Sequence, residues 1–207
     1  MKRLRSIPLL ALLGVVSCTG SLTLARDYFS DPATLSFDPA LTGYYTFRHD
    51  NEKGLLCILA DGRNGYRVYA FNLENASTGA VLVYSAVARK IDDRCLFRLA
   101  ATERPAERYY LLLRRTDQTP ALALRPILLT SKTGELEKAI ERHELGGSLV
   151  ARRDAGGPFT EVLVDADWEA FAGFIRKTYP AAEGDETSAI RLDRFDPATD
   201  HCTIPAP

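Results

Sequence analysis

The sequence predicts a mainly β chain with a minor helical part: a closed or sandwiched antiparallel meander, followed by two helices in the C-terminal half. Three observations carry that expectation. Between Gly43 and Leu129 short apolar runs rich in β-branched and aromatic residues alternate with turn-forming clusters about every ten residues. The links between them are too short for crossover helices, which excludes a βαβ layout. After Ser131 the apolar spacing lengthens to that of amphipathic helices.

Taken in order, residues 19–41 contain two Asp-Pro steps, Asp31-Pro32 and Asp38-Pro39, and little periodicity, which suits a tether. The fold is expected to begin at Gly43. Seven strands follow: GYYTFRH, LLCILA, YRVYAFNL, AVLVYSAVARKI, CLFRLA, RYYLLLRR and ALALRPILL. In YRVYAFNL, Tyr66, Val68 and Ala70 alternate with Arg67, Tyr69 and Phe71, so both faces carry bulky groups. In SKTGELEKAIERHEL, Leu136, Ala139, Ile140 and His143 share a helical face, giving a helix over 134–144 with Ser131 or Thr133 as its N-cap. GGSLVARRDAGGPFTEVLV reads as a hairpin turning at 155–158. Asp165 or Asp167 then caps a helix over 166–179, with Trp168, Phe171, Ala172, Ile175 and Tyr179 on one face. AIRLDRF is a last strand that docks on the body, so residues 43–207 form one β-rich domain.

The start of the chain reads as an export signal. MKRLRS is basic, and Ile7–Val16 is a ten-residue apolar run, too short for a membrane span of about 20 residues. Val15-Val16-Ser17-Cys18 resembles a bacterial lipobox, with residues 1–17 as signal peptide and Cys18 as the lipidated N-terminus. The alternative is ordinary cleavage after Thr23-Leu24-Ala25, which makes the protein soluble in the periplasm or secreted. A lipid anchor makes the membrane the first partner. Thr19, and not Asp, at the second mature position points to the outer membrane, facing the periplasm, in hosts that sort by that residue. Loss of residues 1–17 removes Lys2, Arg3 and Arg5, leaving 23 basic against 27 acidic residues, a formal charge of −4. That balance excludes nucleic acid as a partner.

Three cysteines remain, Cys57 and Cys95 in strands and Cys202 in the tail, and an oxidising compartment permits one pair. Cys57–Cys95 is the first expectation, with a bridge from Cys202 to either as the rival. None has CxxC spacing. His49, His143 and His201 lack a second ligand one helical turn away, so no metal site and no cofactor is expected, and His143 suits a helix C-terminus. The serines of VYSAV and GGSLV have no neighbouring His and there is no GxSxG elbow, so no enzyme is expected. The glycines of DGRNG and of Gly146-Gly147 are hairpin glycines rather than phosphate cradles. Arg114-Arg115 and Arg152-Arg153 could meet an anionic ligand or a lipid headgroup, each pair sending one charge outward. Aromatic residues crowd the β-rich half. Tyr45, Tyr66, Phe71, Phe97 and Tyr110 are the candidates to line a ligand pocket, against the simpler use of filling a small barrel.

Gly43-Tyr44-Tyr45, Gly65-Tyr66-Arg67-Val68, Cys95-Leu96-Phe97-Arg98-Leu99, Leu128-Leu129-Thr130 before Glu135-Leu136, and Val162-Leu163-Val164 before Trp168-Glu169-Ala170-Phe171 together resemble a widespread class of uncharacterised bacterial lipoproteins. The resemblance implies a lipocalin-like barrel of about eight strands with accessory helices, and transfers no catalytic residue. The expectation is therefore a bacterial cell-envelope lipoprotein acting as a non-catalytic binding module for a small lipophilic ligand. The alternative is a structural or assembly factor that works through envelope proteins.

Overall fold

A computed structural model of the chain describes residues 20–49, 52–62, 64–72, 81–103, 108–115, 121–126, 134–154, 157–178 and 190–196. Eight strands close an antiparallel barrel. They are β2 (Gly43–His49), β3 (Glu52–Asp61), β4 (Gly65–Asn72), β5 (Val81–Ile91), β6 (Arg94–Ala101), β7 (Arg108–Arg115), β8 (Ala121–Pro126) and β11 (Ile190–Phe195). The seven strands expected in the β-rich half are β2 to β8. The last strand does more than dock, because β11 pairs with β8 through Ile190↔Leu124 and with β2 through Phe195↔Tyr44, closing the wall.

Alternation sorts the wall residues. Tyr45, Phe47, Leu56, Ile58, Tyr66, Val68, Ala70, Tyr84, Ala86, Ala88, Phe97, Leu99, Leu111, Leu113 and Leu192 form one buried cluster, the barrel interior. Phe47 shows how tight this filling is: its ring lies where a side chain on the paired residue Gly54 would have to go. In the DGRNG turn Gly62 takes a left-handed conformation, φ 72°. Gly146 and Gly147 are needed for a different reason, since any Cβ there would meet the backbone oxygens of Asp165 and Leu163.

Between β8 and β11 the chain inserts α1 (Glu135–Glu141), the hairpin β9 (Gly147–Asp154) and β10 (Gly157–Val164), and α2 (Trp168–Thr178). This insertion covers one outer side of the barrel. Ile91, Leu96, Tyr110 and Leu112 point out from β5, β6 and β7 into a second buried cluster. Leu136, Ala139 and Ile140 of α1, Val162 and Val164 of β10, and Phe171, Ala172, Phe174 and Ile175 of α2 meet them there. Both helices fall within their expected spans. At α2, Asp167 is the cap, its carboxylate accepting from the Ala170 N–H at 2.8 Å. At α1, Gly134 occupies the N-cap position with φ 40° and no side-chain bond, which corrects the expected Ser131 or Thr133; both lie outside the described residues. His143 follows α1 in a left-handed conformation, φ 57°. Its N–H donates to the Ile140 carbonyl and that of Glu144 to the Ala139 carbonyl, a Schellman termination with His in place of the usual Gly.

Residues 20–41 are folded and not a tether. β1 (Gly20–Leu24) pairs in parallel with β10, Gly20↔Thr160 to Leu24↔Val164, so the second sheet runs β1-β10-β9 and has one parallel pair. Asp31 and Asp38 each cap a short 3-10 turn, Pro32–Thr34 and Pro39–Leu41, with their carboxylates accepting from Ala33 and Ala40. Proline at the first position of each turn is pre-set for it and lacks only a donor that would go unused. No periodic face marks the segment as folded, because its apolar residues, Leu22, Tyr28, Phe29, Phe37 and Leu41, are irregularly spaced. They pack individually and not as one periodic face. Gly54→Ala is expected to destabilise the fold by about 1–3 kcal/mol, because the Phe47 ring must leave its position. A lower urea midpoint at unchanged slope checks this.

Candidate functional site

The barrel interior is the candidate site that the sequence indicated, and the structure divides its five aromatic candidates. Tyr45, Tyr66 and Phe97 lie inside, each about 1% exposed. Phe71 is on the opposite side of β4 from Val68 and Ala70, and Tyr110 is in the outer cluster with Leu112. The strand period of two decides this, since odd and even neighbours in one strand cannot share a face. Phe71 and Tyr110 are therefore not interior residues.

The three inner rings are engaged with protein. Phe37, from the chain before the second 3-10 turn, packs on Tyr66 and Tyr66 on Phe97, with ring centroids 5.0 Å apart in both pairs. The Asp38 N–H donates to the Tyr66 hydroxyl at 2.7 Å, and the Tyr45 hydroxyl donates to the Leu41 carbonyl at 3.0 Å. Leu41 itself belongs to the interior cluster, so residues 37–41 plug this end of the barrel. Burial pushes the Tyr66 hydroxyl up to about 12, with the Asp38 backbone bond opposing. Toward the other end the interior is lined by Phe47, Ala70, Tyr84 and Tyr109, the two tyrosines meeting edge to face at 6.0 Å.

With that geometry in view, comparison with known proteins adds no relative: no family model, no curated protein and no solved structure matches the chain. Function has to be argued from the residues.

Cys57 and Cys95 are free thiols, which corrects the expected bridge. Leu56 and Ile58 face the interior, so Cys57 between them faces out, whereas Cys95 packs against the interior cluster. Two strands, β4 and β5, also separate them at about 4.8 Å per strand, beyond the roughly 4.4–6.8 Å between the Cα atoms of a bridge. Cys202 lies outside the described residues. Burial pushes the Cys95 thiol up to about 11, with Asp38 adding to it, and raises Cys57 as well, against a hydrogen bond from Tyr44. Neither suits nucleophilic chemistry, which needs a thiolate. Among the described residues no three His, Cys, Asp or Glu groups converge for a metal. His49 sits at the end of β2 opposite Glu52, His143 ends α1 through its backbone N–H with its side chain exposed, and His201 lies outside the described residues.

What the sequence reading missed is a wedge on the barrel's outer side. Tyr28 stacks on Phe171 at 5.4 Å and meets Trp168 edge-on at 5.6 Å, while its hydroxyl donates to the Ala166 carbonyl at 2.8 Å. Arg89 of β5 donates to the Tyr28 carbonyl at 3.0 Å and lies 3.9 Å over the Trp168 ring. Arg98 of β6 pairs with Asp27 at 2.7 Å and covers Phe29. Burial raises the Tyr28 hydroxyl to about 12, with Arg26 opposing. The adjacent Tyr28-Phe29 pair in a polar stretch was the available signal.

Two outcomes follow from these groups. The native protein should leave Cys57 and Cys95 unmodified by Ellman's reagent and expose both after denaturation, counted as thiols per chain. Tyr28 and Tyr66 ionise near pH 12 when folded and near pH 10 when unfolded, so above pH 10 the folded state binds more protons. Their contribution is complete below about pH 10 and is lost as pH rises toward 12. Thermal melts across that range should fall, less steeply for Tyr66→Phe.

Proposed function

We propose that the protein is a non-catalytic, lipid-anchored component of the bacterial cell envelope that works through its outer surface, as a structural or assembly factor. One observation carries the mode of action. The rings that a carried ligand would need are already engaged: Tyr66 packs on Phe97 and on Phe37 of the plug, and the Tyr66 and Tyr45 hydroxyls are bonded to the backbone of Asp38 and Leu41. Dense internal packing makes such a barrel a rigid body.

The anchor reading is supported by where β1 lies. Cleavage after Ala25 would discard Gly20–Leu24, including Leu22 of the second core and the Thr23 hydroxyl that donates to Glu161 at 2.8 Å. Processing that leaves Cys18 first keeps the whole strand. No helix among the described residues is long and apolar enough to cross a membrane. The barrel interior is apolar while Arg67, Arg89 and Arg98 stand on the outer side, the reverse of the polar lumen and apolar exterior of a membrane barrel. A second reading, the small lipophilic ligand, keeps the end of the barrel away from the plug, where Phe47, Tyr84 and Tyr109 line the wall beside the smaller Ala70.

Cys18→Ser should move the protein from the membrane fraction to the soluble one with its melting temperature unchanged; retention on membranes would overturn the anchor. Native mass spectrometry of the protein extracted from its own membranes should show the acylated chain alone. A stoichiometric apolar adduct would instead establish the second reading.

A further inference from the structure

We infer that the turn-side part of strand β9, carrying Arg152 and Arg153, is the surface that the anchored protein sets against the phosphate groups of an anionic bilayer. The inference rests on lipidation at Cys18 and adds the orientation of the body. One residue, Thr19, separates Cys18 from Gly20 at the start of β1. At about 3.3 Å per residue, Gly20 is held within about 7 Å of the acylated residue. The fold thus has no slack with which to stand off from the membrane.

Which part of the fold lies there follows from strand register. Gly20 is beside Thr160 and Thr160 beside Ala151, so β1 starts at the middle of the hairpin with its N-terminal end directed toward the turn. The residues next toward the turn are Arg152 and Arg153 on β9, opposite Phe159 and Pro158 on β10, and then Asp154 opposite Gly157. Both arginines are exposed. Arg152 is held by Glu161 at 2.7 Å, and hydrogen bonds from Arg152 and Thr23 keep the Glu161 carboxyl below its ordinary range. The half-buried Phe159 supplies an aromatic ring at the same level, a residue type suited to the interface.

The opposite end of the same sheet has the opposite character. The Ala25 N–H donates to the Val164 carbonyl, and beyond it Asp165 pairs with Arg26 at 3.1 Å while the exposed Asp167 and Glu169 add negative charge. A negative surface attracts the arginine end and repels the acidic one. Charge and anchor position therefore select the same orientation.

The test uses the acylated chain with Cys202→Ser, reconstituted in vesicles of phosphatidylethanolamine and phosphatidylglycerol with a headgroup-level quencher lipid. Arg153→Cys and Ser148→Cys each carry one fluorophore; Ser148 is exposed at the far end of β9, roughly 17 Å away along the strand. Cys57 is buried and Cys95 half-buried, so the chain without an introduced cysteine is labelled in parallel to set the background. Quenching at position 153 and its loss at 148 are expected. Equal or reversed quenching with the protein still on vesicles overturns the orientation and leaves the anchor standing. Failure of the acylated chain to bind vesicles overturns both. An independent arm uses Cys18→Ser: its residual, salt-sensitive binding to the same vesicles should weaken about fivefold on Arg153→Gln, and no change overturns the contact.

Discussion

Burial of both sides of the barrel wall at β5, β6 and β7 is the constraint on which the rest of the structure depends. Inside, Ala88, Phe97, Leu99, Leu111 and Leu113 fill the barrel; outside, Ile91, Leu96, Tyr110 and Leu112 are equally inaccessible. An eight-stranded barrel needs only one apolar face. The other must be covered, and the α1-hairpin-α2 insertion and the N-terminal segment supply the cover. The run Leu111-Leu112-Leu113 records this directly, because a strand buried on both sides reads as continuous and not alternating.

The N-terminal segment serves both cores. Its first part, β1 with Tyr28 and Phe29, wedges between the barrel's outer side and α2; its second part, Phe37 to Leu41, plugs the barrel. The bond from the Ser36 N–H to the Ala88 carbonyl at 2.8 Å fixes the crossing point between the two. A chain built in this way begins its described part inside folded structure, with β1 paired to β10 from Gly20 onward. The same packing ties Tyr66 and Phe97 to Phe37, and the Tyr45 and Tyr66 hydroxyls to the backbone of residues 38–41.

The barrel strands were legible because their spacing and turn residues are local signals. The α2 face was legible too, since Phe171, Ala172, Phe174 and Ile175 repeat at helical intervals. The candidate site was only half legible. Composition identified the aromatic strands but could not say which parity faces in, so Phe71 and Tyr110 were grouped with residues that lie across the wall from them. The cysteine pairing failed for the same reason: Cys57 and Cys95 are each in a strand, and only register shows that they face opposite ways.

By itself the sequence determined the meander and the two late helices, both of which depend on residues within one turn or hairpin of each other. Tertiary structure alone decided that β11 closes the barrel, that β1 joins β10 in parallel across roughly 140 residues of chain, and that the apparent tether is part of two cores. Those are long-range pairings. Their selection depends on which apolar surfaces remain uncovered once the local elements have formed, and no periodicity along the chain records that.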